Sequence, residues 1–269
     1  MATPQENARL EQIKRAWQQK REINQRLAKI KAKVGVYSAK GGVGKTTVAV
    51  NLAVALAKEG CKVGLLDADI DCPNVTRALG ITDKPEYADN QIQPPEKWGV
   101  KVVSMALFQE SEEEAIIWRG PMIHNAINQF LQMTDWGELD YLVVDLPPGT
   151  SDAPLTIMQA LPMDGFVVVS TPQALANLDA RRCINMIRKL NLNVLGVVEN
   201  YTGEMFGEGA SKQLAEDVHT AFLGSLALRP SYRDTSKPTA LADPAVGKEY
   251  ASLAKAVRKS LQESGRTAV

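Results

Sequence analysis

The sequence predicts an α/β fold: one domain with a mainly parallel sheet covered by helices on both faces, preceded by a basic N-terminal helix. Three observations predict it. Short, continuously apolar runs alternate with helical patterns from Val34 onward, as strands buried on both faces require. A glycine-rich turn joins the first such run to the first helix of the domain. The charge is uneven: residues 1–33 carry nine basic and three acidic residues within a chain of formal net charge +0. The expected organisation is a basic helix over 1–33 and one domain over 34–265.

Residues 6–33 lack Pro and Gly. Leu10, Ile13 and Trp17 share one helical face, and Ile23, Leu27 and Ile30 form a second, offset group. A basic face of this kind usually serves solubility, and it is otherwise suited to an acidic partner or nucleic acid.

The first strand, Val34–Tyr37, leads into Ser38-Ala39-Lys40-Gly41-Gly42-Val43-Gly44-Lys45-Thr46-Thr47, and a helix follows over Thr47–Lys58. Strand, glycine turn and helix N-terminus together make a P-loop. Its N–H groups and the helix dipole attract phosphate. The Gly41 to Thr47 segment cradles the phosphates, Lys45 reaches the β- and γ-phosphates, and Thr46 ligates Mg²⁺. Ala39 stands where the usual pattern has its first glycine.

Strands are expected at Lys62–Leu66, Val100–Met105, Tyr141–Val144, Phe166–Ser170, Val194–Val198 and Leu223–Leu226. Helices are expected at Gly120–Met133, Ala153–Leu161, Asn177–Leu190, Ser211–Phe222 and Lys248–Leu261. The polar stretch Asp83–Pro95 reads as a loop. In the last helix Tyr250, Leu253, Ala254, Val257 and Leu261 share a face, which suits core packing better than a membrane surface.

Asp67-Ala-Asp69-Ile-Asp71 follows the second strand directly. A carboxylate there, beside a P-loop, orients the attacking water or binds Mg²⁺. Asp145 follows four apolar residues and faces the magnesium shell. Pro147-Pro148-Gly149 then forms a loop able to move with a γ-phosphate.

Lys40 resembles the signature lysine of the deviant P-loop ATPases, the group of MinD, ParA, the nitrogenase iron protein and Mrp/ApbC. The resemblance implies a homodimer that sandwiches two ATP molecules, with Lys40 reaching the partner's nucleotide. It makes Asp69 the water-orienting residue and Asp67 its structural neighbour. It also implies that Asn200, at the end of Val197-Val-Glu-Asn200, contacts the adenine. Trp118-Arg-Gly-Pro-Met122, Asp135 to Tyr141, Asp145 to Thr150 and Gly196 to Asn200 narrow the resemblance to the Mrp/ApbC branch.

For this chain the resemblance implies a slow, Mg²⁺-dependent ATPase acting in iron–sulfur cluster or other metallocentre assembly, with a client apoprotein. Members usually carry a CxxC pair after the Glu-Asn element, and two subunits pool four thiolates for a cluster. Here Asn200 to Gly209 contains no cysteine. Cys61 and Cys183 read as core residues, while Cys72 follows Asp71 in a loop that faces the dimer seam. Two rival readings stay open: a metal-free, nucleotide-switched adaptor for a protein partner, and a ParA- or MinD-like positioning ATPase. The latter is disfavoured by the Trp-Arg-Gly-Pro and Pro-Pro-Gly-Thr elements.

Lys+Arg and Asp+Glu number 31 each, so no overall field selects a nucleic acid or a membrane. No run reaches membrane-spanning length, the first residues show no signal-peptide pattern, and three scattered cysteines make no disulfide framework. A cytoplasmic protein is expected.

Overall fold

A computed structural model describes residues 4–108 and 120–265. The chain begins with α1 (Pro4–Leu27), β1 (Ile30–Tyr37), α2 (Lys45–Lys58), β2 (Val63–Asp67) and α3 (Val75–Leu79). Three short strands follow, β3 (Glu86–Ala88), β4 (Gln91–Gln93) and β5 (Glu96–Lys97), then β6 (Val100–Val103) and α4 (Gly120–Met133). The remainder runs β7 (Leu139–Asp145), α5 (Asp152–Ala160), β8 (Gly165–Ser170), α6 (Ala174–Lys189), β9 (Val194–Thr202), α7 (Ala210–Asp217), β10 (Phe222–Ala227), α8 (Thr239–Ala242) and α9 (Pro244–Glu263).

Eight strands form one sheet in the order β10-β9-β8-β1-β7-β2-β6-β5, parallel throughout except for the β5–β6 pair. The buried strands are the Val- and Leu-rich runs read from the sequence. Their side chains alternate between two cores. One packs Val34, Val36, Leu65 and Val143 against α2 and α9. The other packs Leu66, Leu142, Val144 and Phe166 against α4, α5 and α6. The five apolar residues of the α9 stripe are all buried, as core packing requires. Asp243 caps that helix, accepting from the N–H of Ala245 at 2.8 Å.

Three expectations need correction. The N-terminal helix ends at Leu27, and Ile30 is the buried first residue of β1, so the expected 33/34 division falls inside that strand. Ile23 and Leu27 are buried in the α4–α7 core, and Gln132 of α4 donates to Glu22 at 2.6 Å; Trp17 stays 75% exposed. The 83–95 stretch is not all loop: β3 and β4 pair antiparallel. Asp89 and Asn90, both at positive φ (51° and 59°), make the tight turn such hairpins demand. The helix expected over 211–222 stops at Asp217, because His219 turns left-handed at φ 52° and Phe222 already belongs to β10.

β1, β2, β7 and β9 all end at one edge, where the parallel strands present their carboxyl ends. The register places Asp67 opposite Asp145 across the β2–β7 pair, and Val36 opposite Asp145 across β1–β7. That alignment builds the site.

Candidate functional site

The loop from Ser38 to Gly44 joins β1 to α2. Gly42 and Gly44 sit at φ 82° and 83°, a conformation that only glycine adopts without strain. Gly44 is required for a second reason: a Cβ there would lie 2.2 Å from the Asn200 Nδ2. Gly44 caps α2 without a side chain, and the first turn holds no acidic residue. The helix N-terminus therefore keeps its N–H groups and its dipole for an anion. Gly41 and Gly42 are exposed and open to space.

Below the loop, Lys45 is buried. Its Nζ donates to Asp145 Oδ1 at 2.6 Å, and Asp69 Oδ2 lies 3.8 Å away. Thr46 Oγ1 donates to the other Asp145 oxygen at 2.6 Å. Asp145 ends β7 and is fully buried, and burial pushes its carboxyl above the usual range while Lys45 opposes that rise. Asp67 is also fully buried; burial first, then the Asp145 charge, pushes its carboxyl up to about 8. It accepts from Ser104 Oγ (3.0 Å), Val75 N (3.1 Å) and Asp69 N (3.2 Å). Asp67 is thus the buried brace of the turn, and Asp69 the acid that reaches the lysine. Burial raises Asp69 to about 6, with Lys45 pulling the other way.

The donor set fits Mg²⁺. A hydroxyl and a carboxylate are hard oxygen ligands, and this ion is commonly held by one or two carboxylates together with substrate phosphates. Among the described residues no group of three or more His, Cys, Asp or Glu forms a metal site by itself. The other ligands would come from phosphate oxygens and water.

Lys40 is exposed, and among the described residues its side chain makes no hydrogen bond or ion pair. Thr47 lies in the first turn of α2, where its carbonyl accepts from Asn51 Nδ2 at 2.8 Å. Val43 is buried. Asn200 is 1% exposed, and its Nδ2 donates to Val43 O at 2.8 Å. The amide expected to contact a base thus braces the loop from below in this arrangement.

The next residue, Tyr201, was not foreseen. It holds φ 62° and lines two clefts together with Leu228. One, of about 250 Å³, runs along Lys40 to Val43. The other, of about 240 Å³, runs past Thr47 to Tyr232 and Pro238. Ser104 was missed too, since a serine ending a strand carries no signal of its own. Gly149 follows the Walker-B-like aspartate as expected, and its N–H donates to Ser38 O at 3.0 Å. Trp118 and Arg119 of the Trp-Arg-Gly-Pro motif lie outside the described residues.

The cysteines separate. Cys72 is exposed, just beyond Asp71 at the P-loop edge. Cys61 is half-buried before β2, at the opposite edge, with Arg258 Nη2 3.9 Å from its sulfur. Cys183 is buried in α6, and burial pushes its thiol up to about 12. Only Cys72 shares the edge that carries the carboxylates.

Comparison with known proteins gives concordant matches. The ParA family, described as NUBPL iron-transfer P-loop NTPase, matches residues 29–262. An iron-sulfur cluster carrier protein of Pseudomonas fragi is 47% identical over 234 residues, which cover 81% of each chain. One from Methanocaldococcus jannaschii is 39% identical over 261 residues, covering 91% of this chain and 90% of that protein. Among solved structures, a nucleotide-binding protein of Archaeoglobus fulgidus in complex with ADP superposes with a TM-score of 0.73 and 36% identity, over 84% of this chain and 93% of that one. The cell division ATPase MinD of Pyrococcus furiosus shares the fold, with a TM-score of 0.67 at 23% identity over 85% of this chain and 99% of its own.

Proposed function

The chain belongs to the ParA family of NUBPL-type iron-transfer P-loop NTPases, and from that premise we propose that it binds MgATP, hydrolyses it slowly as a homodimer, and uses the cycle in assembling or transferring iron–sulfur clusters. The observation that carries the proposal is the Lys45–Asp145–Thr46 cluster beneath left-handed glycines at a helix N-terminus. Bound Mg²⁺ supplies charge neutralisation at the phosphates, held by Thr46 and Asp145. Lys45 and the N–H groups of Gly41 to Thr47 hold the phosphates, and Asp69 orients the water. Lys40, exposed and without a side-chain partner among the described residues, is left to face the second subunit's nucleotide. Asn200 keeps the loop in shape and stands beside the base. Such a site works by positioning and electrostatics.

The cluster is cargo. Relatives at 47% and 39% identity are iron-sulfur cluster carrier proteins, which supports the same role here. This chain brings one exposed thiol, Cys72, to the proposed seam, and two subunits bring two. A cluster prefers four thiolates, so the bound cargo is labile and completed by thiols of the client apoprotein or a small molecule. No described helix is long and apolar enough to cross a membrane, and the α9 stripe is spent on the core. The buried stripe favours a protein partner over a membrane surface, and the formal net charge of +0 sets up no overall field for nucleic acid.

Two measurements test the proposal. Calorimetry should detect MgATP binding in the wild type and none in Lys45→Ala. Anaerobic reconstitution with iron and sulfide should give a weak cluster absorbance that Cys72→Ser abolishes. About four irons per dimer, surviving desalting in Cys72→Ser, would overturn the labile, Cys72-bound mode of cluster binding. No absorbance at all would leave a metal-free switch, a reading that the single exposed thiol per chain also supports.

A further inference from the structure

Tyr37 is the last residue of β1 and is fully buried. A buried phenol needs a partner for its hydroxyl. Here the hydroxyl donates to the carbonyl of Gly149, 112 residues away. The N–H of Gly149 donates to Ser38 O at 3.0 Å. Gly149 is therefore bonded on both sides to two consecutive residues at the mouth of the P-loop. It holds φ 93°, and a Cβ there would meet nothing within 4 Å. Its glycine is needed for backbone conformation rather than for close packing. Cys183 of α6 interacts with the same hydroxyl, so the contact is backed by a helix.

We propose that Tyr37 is a positioning residue that latches the Pro147–Thr150 loop against the strand feeding the P-loop, so that the response to a γ-phosphate begins with its release. The inference rests on the proposed ATP reading. The N–H of Gly149 cannot donate to both Ser38 O and a phosphate. A turn that aims this N–H at the nucleotide gives up the Ser38 bond, and carrying the Gly149 carbonyl along takes the acceptor away from the buried Tyr37 hydroxyl. Removing only the hydroxyl lowers the cost of leaving the latched position and keeps the ring in the core.

Affinities for ADP and for a slowly hydrolysed ATP analogue are the readout. Tyr37→Phe should bind the analogue about fivefold more tightly, the worth of one ordinary hydrogen bond. Its affinity for ADP should stay at the wild-type value, since ADP has no γ-phosphate to draw the loop. A role confined to stability moves neither affinity. Cys183→Ala, which leaves the hydroxyl on Gly149, should keep the wild-type ratio of the two affinities.

Equal changes for both nucleotides in Tyr37→Phe, or no change, overturn the latch while leaving the ATP reading intact. So does a Cys183→Ala ratio that matches Tyr37→Phe, which would indicate general loosening of α6. A wild type that binds neither nucleotide overturns both readings.

Discussion

Lys45→Ala should do more than abolish nucleotide binding: it should destabilise the folded chain, and by an amount that depends on pH. The Lys45 ammonium is 2.6 Å from Asp145 and 3.8 Å from Asp69, with side-chain exposures of 7%, 0% and 12% for the three residues. Asp67, also fully buried, gains from the same positive charge. At an effective dielectric constant of 20, unit charges about 4 Å apart attract by roughly 4 kcal/mol before desolvation. Removing one partner of a buried pair costs about 3–5 kcal/mol, and here three carboxylates lose their cation together. The folded-state pKa values of Asp67 and Asp145 already stand above their unfolded values, and without Lys45 they rise further. The folded chain then binds more protons than the unfolded chain, so stability falls as pH rises through that window. For Asp67 the window runs from 3.8 to about 8 even with the lysine present. Urea denaturation at about pH 5 and about pH 8 should show the stability gap between wild type and Lys45→Ala widening with pH. A gap of the same size at both values would refute the electrostatic account and leave lost packing as the cause.

Asp69→Asn should keep MgATP binding and lose turnover, because only the water acceptor is removed; equal turnover would show that another group orients the water. Since Asp69 must be ionised to accept from water and its carboxyl sits at about 6, wild-type turnover should fall as pH drops through that value, and a flat profile across it would count against the assignment. Lys40→Ala should bind nucleotide as a monomer and fail to dimerise with an ATP analogue in light scattering, whereas a wild type that stays monomeric would end the sandwich proposal. Glu199→Gln should cost about 2–3 kcal/mol in denaturant unfolding: the buried carboxylate accepts from Gly209 N and Ser211 N, both at 2.7 Å, and an amide turns a donor toward one of them.

The parts of the site contained in one short stretch were legible in the sequence. Gly41 to Thr47 is a contiguous device in which glycine φ values, helix start and lysine all lie within one turn of chain. Asp145 stands out because it closes an apolar strand, whereas Asp69, two residues past the end of β2, is singled out by the family resemblance. The sheet was legible because its strands are uninterrupted Val and Leu runs. What escaped were contacts that span the chain. Ser104 reaches Asp67 across 37 residues, Tyr37 reaches Gly149 across 112, and Asn200 reaches Val43 across 157. No local pattern encodes those partners, since only the strand order sets them. The 83–95 hairpin was missed for another reason. Its Asp-Asn turn carries a signal, but Glu86–Ala88 is exposed at all three positions and lacks the apolar alternation that marks a strand.

The Asp67–Asp145 register across β2 and β7 gives those separate acids a joint meaning. Read singly, each is a carboxylate at a strand end. Read together with Asp69, they place three acids around one buried ammonium, and one of those acids already holds it. Lys45 cannot face Asp145 and a phosphate with the same short bond. A second cation facing Asp145 would free the lysine for the nucleotide, and Thr46, bonded to the second Asp145 oxygen, stands where that cation would share its ligands. The charge balance of the protein's own side chains thus supports the proposed dependence on Mg²⁺. Nucleotide without the metal would compete with Asp145 for the lysine, so the expected outcome in calorimetry is weaker binding of ATP in EDTA than of MgATP; equal affinities would refute this balance.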